Sequence, residues 1–199
     1  MMLDLRRQAL EAGAQPRGWK LGFGAPAAME KLGIDRPLVG FLTDRTLLPD
    51  GGTANVGGWT KPMLEAEVAV RIGHDGQIDG YATAIELADL DPPPEDAATI
   101  LAGNIFHRHF LVGPVRKAPG TSATLSRDGE ELARTDSPTA LTGEYADLVE
   151  TVREAAGGEL QAGDVIITGS IFAPLQVEPG QAITVEVAPL GALTVRIER

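Results

Sequence analysis

The sequence predicts a β-rich α+β domain in which a few helices pack on sheets. Glycine and proline, at 24 and 14 of 199 residues, divide the chain into many short segments. Most of the apolar segments have the length and alternation that are typical of strands. A hydrophobic content of 43% suits a globular protein of this length. Because no repeat, low-complexity stretch or linker interrupts the chain, we expect residues 1–199 to form a single domain.

The first half of the chain is predicted to contain three helices and three strands. The helices are expected at 3–12, 27–32 and 95–102. The last of them follows Pro92-Pro-Pro94, which stops the preceding element. The strands are expected at 17–23, 62–73 and 81–89, of which the last two are the clearest.

The second half is predicted to contain a hairpin, one helix and three further strands. Asp128-Gly129 is typical of a two-residue hairpin turn. Residues 144–156 form an amphipathic pattern that Gly157-Gly158 ends, which predicts a helix. The three strands are expected at 164–169, 182–187 and 193–197.

Composition and charge exclude several classes of protein. The chain contains no cysteine, which excludes disulfides, thiolate metal sites and a cysteine nucleophile. Its net charge of −11 and its lack of a basic stripe argue against binding to nucleic acid. No apolar run has the length that spanning a bilayer requires, and no signal peptide is recognisable. We therefore expect a soluble cytoplasmic protein that binds neither nucleic acid nor membrane.

Three glutamates in apolar segments are the main functional signal. Glu65 and Glu67 occupy alternate positions of the predicted strand 62–73, so their side chains share one face. The opposite face is apolar and carries Leu64, Ala66, Val68 and Val70. Glu86 lies between Ile85 and Leu87 in strand 81–89. If the two strands pair, the three carboxylates converge.

A converging group of carboxylates needs a counter-charge or shared protons, because like charges repel strongly in a low dielectric. Mg²⁺ or Mn²⁺ suits such an all-oxygen ligand set better than zinc, which favours His and Cys. The sequence therefore predicts a divalent-metal site at Glu65, Glu67 and Glu86. An alternating strand whose polar face simply meets water would give the same spacing for the first two.

An ordered set of motifs resembles one enzyme family. The motifs are Gly18-Trp-Lys-Leu-Gly22, Leu32-Gly-Ile-Asp-Arg-Pro37 with Gly40-Phe-Leu-Thr-Asp44, Pro62-Met-Leu-Glu-Ala-Glu-Val-Ala69, Ala84-Ile-Glu-Leu-Ala-Asp89, Gly163-Asp-Val-Ile-Ile-Thr-Gly-Ser170 and Glu178-Pro-Gly180. Together they resemble the 2-keto-4-pentenoate hydratase and 2-oxo-3-hexenedioate (4-oxalocrotonate) decarboxylase family of the fumarylacetoacetate hydrolase superfamily. The segment Leu47-Leu-Pro-Asp-Gly-Gly52 after the second motif is more similar to the decarboxylase branch.

This resemblance implies a fold, a chemistry and site residues. The fold would be a mixed β-roll that holds Mg²⁺ or Mn²⁺ at its mouth, with Glu65, Glu67 and Glu86 as the metal ligands. The substrate would be a small unsaturated 2-oxo acid, and the reaction a decarboxylation or hydration through an enolate. The catalytic lysine of the family matches Lys20, which we expect at the mouth of the pocket facing the carboxylates. From the residues alone, a surface lysine is the alternative.

The sequence departs from the family pattern at several places. Leu38, Leu90 and Gly103 stand at positions that are usually polar in the family, and Asp91 stands where an arginine is expected. The family's leading helical region is also largely missing. These departures make water addition harder to support. They leave open an acylpyruvate-type hydrolase or isomerase of the same superfamily, or a non-catalytic scaffold subunit that keeps the fold.

Two further groups of residues are candidates for the site. Thr168, Gly169 and Ser170 end a predicted strand, and their exposed amides and hydroxyls would receive a substrate carboxylate. An ordinary strand-to-loop transition is the alternative. His107 and His109 have strand spacing and are either acid–base residues or ligands, or partly exposed strand residues.

The predicted assembly is a homo-oligomer, with a dimer as the first expectation. A β-rich chain with exposed strand edges and a short leading region has little to cover its sheets. Association of two copies would cover such an edge.

Overall fold

The computed structural model describes residues 1–91 and 96–199. Within these ranges the helices are α1 (Met2–Glu11), α2 (Pro26–Leu32), α3 (Ala97–Ala102) and α4 (Tyr145–Ala155). The strands are β1 (Pro16–Gly22), β2 (Leu38–Thr43), β3 (Thr53–Asn55), β4 (Pro62–Ile72), β5 (Ile78–Asp89), β6 (His107–Val112), β7 (Ser122–Arg127), β8 (Glu130–Thr135), β9 (Val165–Ser170), β10 (Leu175–Gln176), β11 (Ala182–Ala188) and β12 (Gly191–Glu198). The β-rich α+β class is confirmed. The predicted stop at 92–94 and the first residue of the helix predicted at 95–102 lie outside the described residues.

Two sheets organise the strands. The larger has the order β2-β1-β9-β4-β5-β6, with the short β10 paired to β4. The smaller has the order β3-β12-β11-β7-β8. Strands β1 and β9 pair in parallel, as do β12 and β3, while the other strand pairs are antiparallel. The long strands β4 and β5 therefore lie inside the larger sheet, where both have neighbours.

The main core lies where the inner faces of the two sheets meet. The predicted apolar face of β4, formed by Leu64, Ala66, Val68 and Val70, is buried in one cluster with Val185 and Val195 of the smaller sheet. Because side chains alternate along a strand, the same packing turns the remaining β4 side chains to the opposite face of the sheet. The core thus determines which face of the larger sheet carries the glutamates.

A glycine lets β1 approach β9 closely. Gly18 has φ +139°, and a Cβ at this position would lie 1.9 Å from the carbonyl oxygen of Val165. The antiparallel register of β1 with β2 also shifts between Pro16 and Gly18. Only glycine fits both the backbone conformation and the space. The packing of β1 against β9 therefore requires a glycine at the first position of the Gly18-Trp-Lys-Leu-Gly22 motif.

The predicted hairpin is present, with Asp128 and Gly129 both at positive φ between β7 and β8. Strands β2, β3 and β10 were not predicted. β2 is Leu-Val-Gly-Phe-Leu-Thr, a mostly buried run whose continuous apolar character hides the alternation. β3 and β10 have three and two residues, too few for a periodic signal. In residues 1–91 and 96–199, no helix combines the length and apolar character needed to cross a membrane.

Candidate active site

Pairing of β4 with β5 brings the three glutamates together. Glu65 lies directly opposite Glu86 in the antiparallel register, and Glu67 follows two positions later on the same face. One carboxylate oxygen from each lies within 4.8 Å of the other two. Glu67 and Glu86 are 0% and 1% exposed, and Glu65 is half-buried. The predicted convergence is confirmed, and a polar strand face that simply meets water is excluded.

Each buried carboxylate is held by one oxygen and leaves the other free. Glu86 Oε1 accepts hydrogen bonds from Lys20 Nζ and, at 2.7 Å, from His107 Nδ1. Glu67 Oε2 accepts from the amide of Gly169 at 2.7 Å. Glu67 Oε1 and Glu86 Oε2 are buried without a hydrogen-bond partner in the described part of the chain. Such oxygens are costly to bury unless a cation binds them, so the donor set fits a hard divalent ion.

The pKa values of the three carboxylates are shifted in different directions. Burial, with the nearby Glu86 charge adding to it, raises the pKa of Glu65 to about 7. Burial and the charges of Glu86 and Glu65 raise the pKa of Glu67 well above its usual value. Burial also opposes ionisation of Glu86, but the Lys20 ammonium and the His107 hydrogen bond outweigh it and lower the pKa of Glu86. In the metal-free protein the first carboxylate to ionise is therefore the one that contacts Lys20.

Lys20 lies on β1 on the face opposite its neighbours. Trp19 and Leu21 pack in the main core, while Lys20 points to Glu86, as the alternation predicted. We expected Lys20 at the mouth of the pocket. That prediction is wrong, because Lys20 is only 2% exposed and lies at the buried base of the site. Its Nζ also donates to the carbonyl oxygen of Ile105 at 3.2 Å. A surface lysine is excluded.

The turn that supplies this carbonyl was not predicted. Asn104, Ile105 and Phe106 all have positive φ, at 49°, 54° and 61°. The Asn104 side chain accepts from the amide of Phe41 and donates to its carbonyl oxygen, both at 3.0 Å, which ties the turn to β2. Such a conformation is costly for Ile and Phe and persists where surrounding contacts hold it. Asn104 was the available signal, since asparagine tolerates this region of φ.

His107 was one of the candidates from the sequence, but its contact with Glu86 was not predicted. It is 7% exposed, and its Nε2 lies 3.0 Å from Thr46 Oγ1 while Nδ1 contacts Glu86. Burial lowers the pKa of His107 despite the raising effect of Glu86. The expectation of a partly exposed strand residue is therefore wrong for His107. It fits His109, which is half-buried and stacks on Trp59 with ring centroids 5.9 Å apart.

A cavity of about 290 Å³ opens above this cluster. Lys20 and Glu65 line its buried base, and the predicted binding residues Thr168, Gly169 and Ser170 line one wall. The cavity thus brings the predicted catalytic lysine, one predicted metal ligand and the predicted substrate-binding segment together. The roles assigned to these residues stay predictions.

Three donors of the wall segment already have partners within the protein. Thr168 Oγ1 donates to the Val68 carbonyl oxygen at 2.8 Å, and Ser170 Oγ donates to the Phe172 carbonyl oxygen at 2.7 Å. The Gly169 amide donates to Glu67, as described above. In this structure these groups fix the wall and the glutamate, and a substrate would have to compete for them.

The three residues at usually polar family positions place no ionisable group in the cavity, and Asp91 is not among its lining residues. Leu90 lines the cavity, Leu38 is buried in an apolar cluster with Ile105, and Gly103 ends α3. Neighbouring Asp89 accepts from two backbone amides and is not among the lining residues. The ionisable lining groups among the described residues are Lys20 and Glu65.

Comparison with known proteins finds relatives that match nearly the whole of this chain. The chain is 28% identical to the 4-oxalocrotonate decarboxylase of Pseudomonas putida over 97% of its own length and 81% of the relative. It is 26% identical to 2-keto-4-pentenoate hydratase 1 of Dechloromonas aromatica, over 93% of this chain and 79% of the relative.

Solved structures share the fold. The 4-oxalocrotonate decarboxylase from Pseudomonas putida G7, complexed with magnesium and adipate, superposes with a TM-score of 0.87 at 25% identity and covers 98% of this chain and 83% of its own. A fumarylpyruvate hydrolase from Pseudomonas aeruginosa, in complex with Mn²⁺ and pyruvate, gives a TM-score of 0.68 at 21% identity, over 92% of this chain and 90% of its own, which shows the fold alone. The model of the fumarylacetoacetate (FAA) hydrolase C-terminal family matches residues 21–198. With its mixed β-roll fold, the chain belongs to the fumarylacetoacetate hydrolase superfamily.

Proposed function

We propose that the protein is a divalent-metal-dependent lyase of the decarboxylase or hydratase type that acts on a small unsaturated 2-oxo acid. The observation that carries the proposal is the pair of unpartnered buried oxygens on Glu67 and Glu86, beside Glu65 and Lys20 at the base of a cavity. Charges and free acceptors of this kind are costly to a fold and are typical of a reaction site. The relation to the two named enzymes supports the same class of chemistry.

The residues that would hold the metal are Glu65, Glu67 and Glu86, and the ion would be Mg²⁺ or Mn²⁺. Magnesium accompanies adipate in the related decarboxylase, and Mn²⁺ accompanies pyruvate in the hydrolase with the same fold. When bound, such an ion acts as a Lewis acid at the 2-oxo group and lowers the cost of forming an enolate.

The protein's own groups would position the ligands and stabilise charge. Lys20 Nζ is fixed by Glu86 and the Ile105 carbonyl, so its charge is preorganised beside the base of the cavity. His107 orients Glu86, and the Gly169 amide orients Glu67. Decarboxylation and hydration share an enolate intermediate, so this arrangement serves both. An open cavity supports catalysis over the scaffold alternative, which a filled pocket would have favoured.

The test of the metal site is calorimetry with Mg²⁺ and Mn²⁺. We expect binding to the wild type, severely weakened binding to Glu67→Gln, and wild-type binding to Glu11→Gln, whose side chain is exposed on α1. Unchanged binding in Gln variants of all three glutamates would refute the assignment.

The test of the chemistry is exchange of the C3 protons of 2-oxobutanoate in D₂O, followed by NMR with Mg²⁺ present. Exchange reports enolate formation whichever lyase reaction follows. A panel of oxalocrotonate, 2-hydroxydienoate and oxaloacetate then identifies the reaction. Metal binding without exchange and without turnover of any panel member would favour the scaffold alternative.

A further inference from the structure

The cavity changes in polarity from base to rim. Its charged lining groups, Lys20 and Glu65, lie at the buried end. Away from them the lining is mostly apolar, with Thr142 as a polar exception, and its apolar members include Phe23, Leu90, Phe106, Leu141, Phe172 and Pro174. Phe106 is buried and Phe23, Leu90 and Phe172 are half-buried, so most of this apolar end is shielded from solvent, and the exposed Leu141 and Pro174 form its rim. In the described part of the chain, no cationic side chain lines that end.

The nearby cations are held elsewhere by other partners. Arg36 precedes the lining residue Pro37, but its guanidinium pairs with Glu154 on α4. The guanidinium of Arg108 donates to the His107 carbonyl at 3.2 Å and lies 3.7 Å from Asp89. Neither side chain is among those that line the cavity.

The chemistry of the two ends points to one class of ligand. We propose that the cavity selects 2-oxo acids with an uncharged alkyl or aryl tail and discriminates against dicarboxylic 2-oxo acids of the same length. The inference rests on the proposed function for the binding of the 2-oxo acid group at the base. A second carboxylate at the apolar end would lose water without gaining a cation. An uncharged tail gains apolar contact there instead.

This selectivity restricts the proposed reaction. A volume of about 290 Å³ suits an acid of few carbons, because it is close to the lower limit of about 300 Å³ for small-molecule sites. Loss of carbon dioxide from the far end needs a carboxyl group at that end. An uncharged tail offers none, which argues against decarboxylation of the preferred ligand, although the residues at Leu38, Leu90 and Gly103 still supply no acid for water addition.

The direct test compares two acids that differ only at the far end. Calorimetry of the Mg²⁺-loaded protein with 2-oxohexanoate and 2-oxoadipate measures the contribution of the terminal group, and pyruvate reports the head group alone. We expect 2-oxohexanoate to bind at least about tenfold more tightly than 2-oxoadipate, since an unpaired charge is costly to desolvate. Equal affinity, or tighter binding of 2-oxoadipate, would overturn the inference while leaving the proposed function standing. If none of the three acids binds, the proposed function itself fails, and the inference with it.

A charge introduced into the apolar end provides the reverse test. Leu90→Arg should raise the affinity for 2-oxoadipate by about tenfold or more relative to 2-oxohexanoate, because it supplies the missing counter-charge. Leu132→Arg is the matched control, since Leu132 is exposed on β8 and does not line the cavity. Phe172→Arg repeats the test from another wall if Leu90→Arg does not fold. An unchanged preference in a folded variant would count against the apolar end as the determinant of specificity.

Discussion

Lys20 and Glu86 form a buried ion pair that places a fixed positive charge at the base of the site. Pairs of this kind contribute little net stability, because desolvation offsets their attraction. Breaking one by removing a single partner is costly, since the other charge stays buried. The pair is therefore better explained by the chemistry of the cavity than by stability.

The first prediction concerns Lys20→Met. Turnover with Mg²⁺ should fall by roughly two orders of magnitude or more, the size seen when one preorganised charge donor is lost. The metal-free variant should lose about 3 kcal/mol of unfolding free energy, because Glu86 keeps a buried charge with one fewer partner. Excess Mg²⁺ should recover part of this loss by supplying a counter-charge. Activity assays and urea unfolding with and without Mg²⁺ measure both effects.

Lys31→Met, on the exposed side of α2, is the control and should change neither quantity. Near wild-type turnover in folded Lys20→Met would withdraw the catalytic assignment of Lys20.

The second prediction concerns pH and follows from the raised pKa values of Glu65 and Glu67. The folded-state pKa of Glu65 is about 7, against an ordinary pKa of 4.5 for glutamate. Between these values the folded state binds more protons than the unfolded state. The unfolding free energy of the metal-free protein should therefore fall as pH rises from about 5 to 7, by up to about 1.4 kcal/mol per pH unit for one group.

Urea unfolding in a chelator at several pH values measures this slope, which should be shallower in Glu65→Gln. Saturating Mg²⁺ should oppose the trend, because metal binding requires the carboxylates to be ionised. A slope that is the same in wild type and Glu65→Gln would contradict the shift assigned to Glu65.

At the scale of elements, the close parallel pairing of β1 and β9 positions the side chains of the site. Residues 18–20 of β1 pair with 165–167 of β9, and the next residues of β9 form the wall of the cavity. Lys20 and the wall thus keep their separation only while Gly18 allows the two backbones to approach.

The third prediction is that Gly18→Ala is strongly destabilising. A Cβ at 1.9 Å from a backbone oxygen cannot be relieved by moving a flexible side chain, and φ is also unfavourable for alanine. We expect a loss of at least about 2 kcal/mol of unfolding free energy, measured by urea denaturation. Gly58→Ala, where a Cβ meets nothing within 4 Å, is the control and should be nearly neutral. A small effect at Gly18 would show that β1 can shift without cost.

Alternation and turn chemistry predicted the elements that are long and patterned. The boundaries of β4, β5, α1 and α4 lie within about three residues of those expected, because each has a clear period or a glycine or proline stop. The convergence of the glutamates also followed from alternation, once β4 and β5 were paired. The long-range contacts could not be predicted from the sequence. For example, the hydrogen bond between Glu86 and His107 joins strands β5 and β6, and no local sequence pattern fixes the register of that pair.

At the scale of the whole molecule, the smaller sheet ends in a charged edge. Strand β8 pairs only with β7 in the described residues, and most of its side chains are exposed, including Glu130, Glu131 and Leu132. Charges on an edge strand discourage uncontrolled association with other sheets. They do not prevent a specific dimer at another surface.

The last prediction is that the protein forms a homodimer whose stability depends on salt. Sedimentation at high micromolar concentration should give a mass of twice 20.9 kDa. Each copy carries a net charge of −11, so the two copies repel each other at long range. Raising the ionic strength from about 0.01 M to 0.15 M shortens the screening length from about 30 Å to 8 Å and should tighten the dimer. A monomer mass at every salt concentration would contradict the dimer. A dimer that weakens with added salt would instead indicate an interface of paired opposite charges.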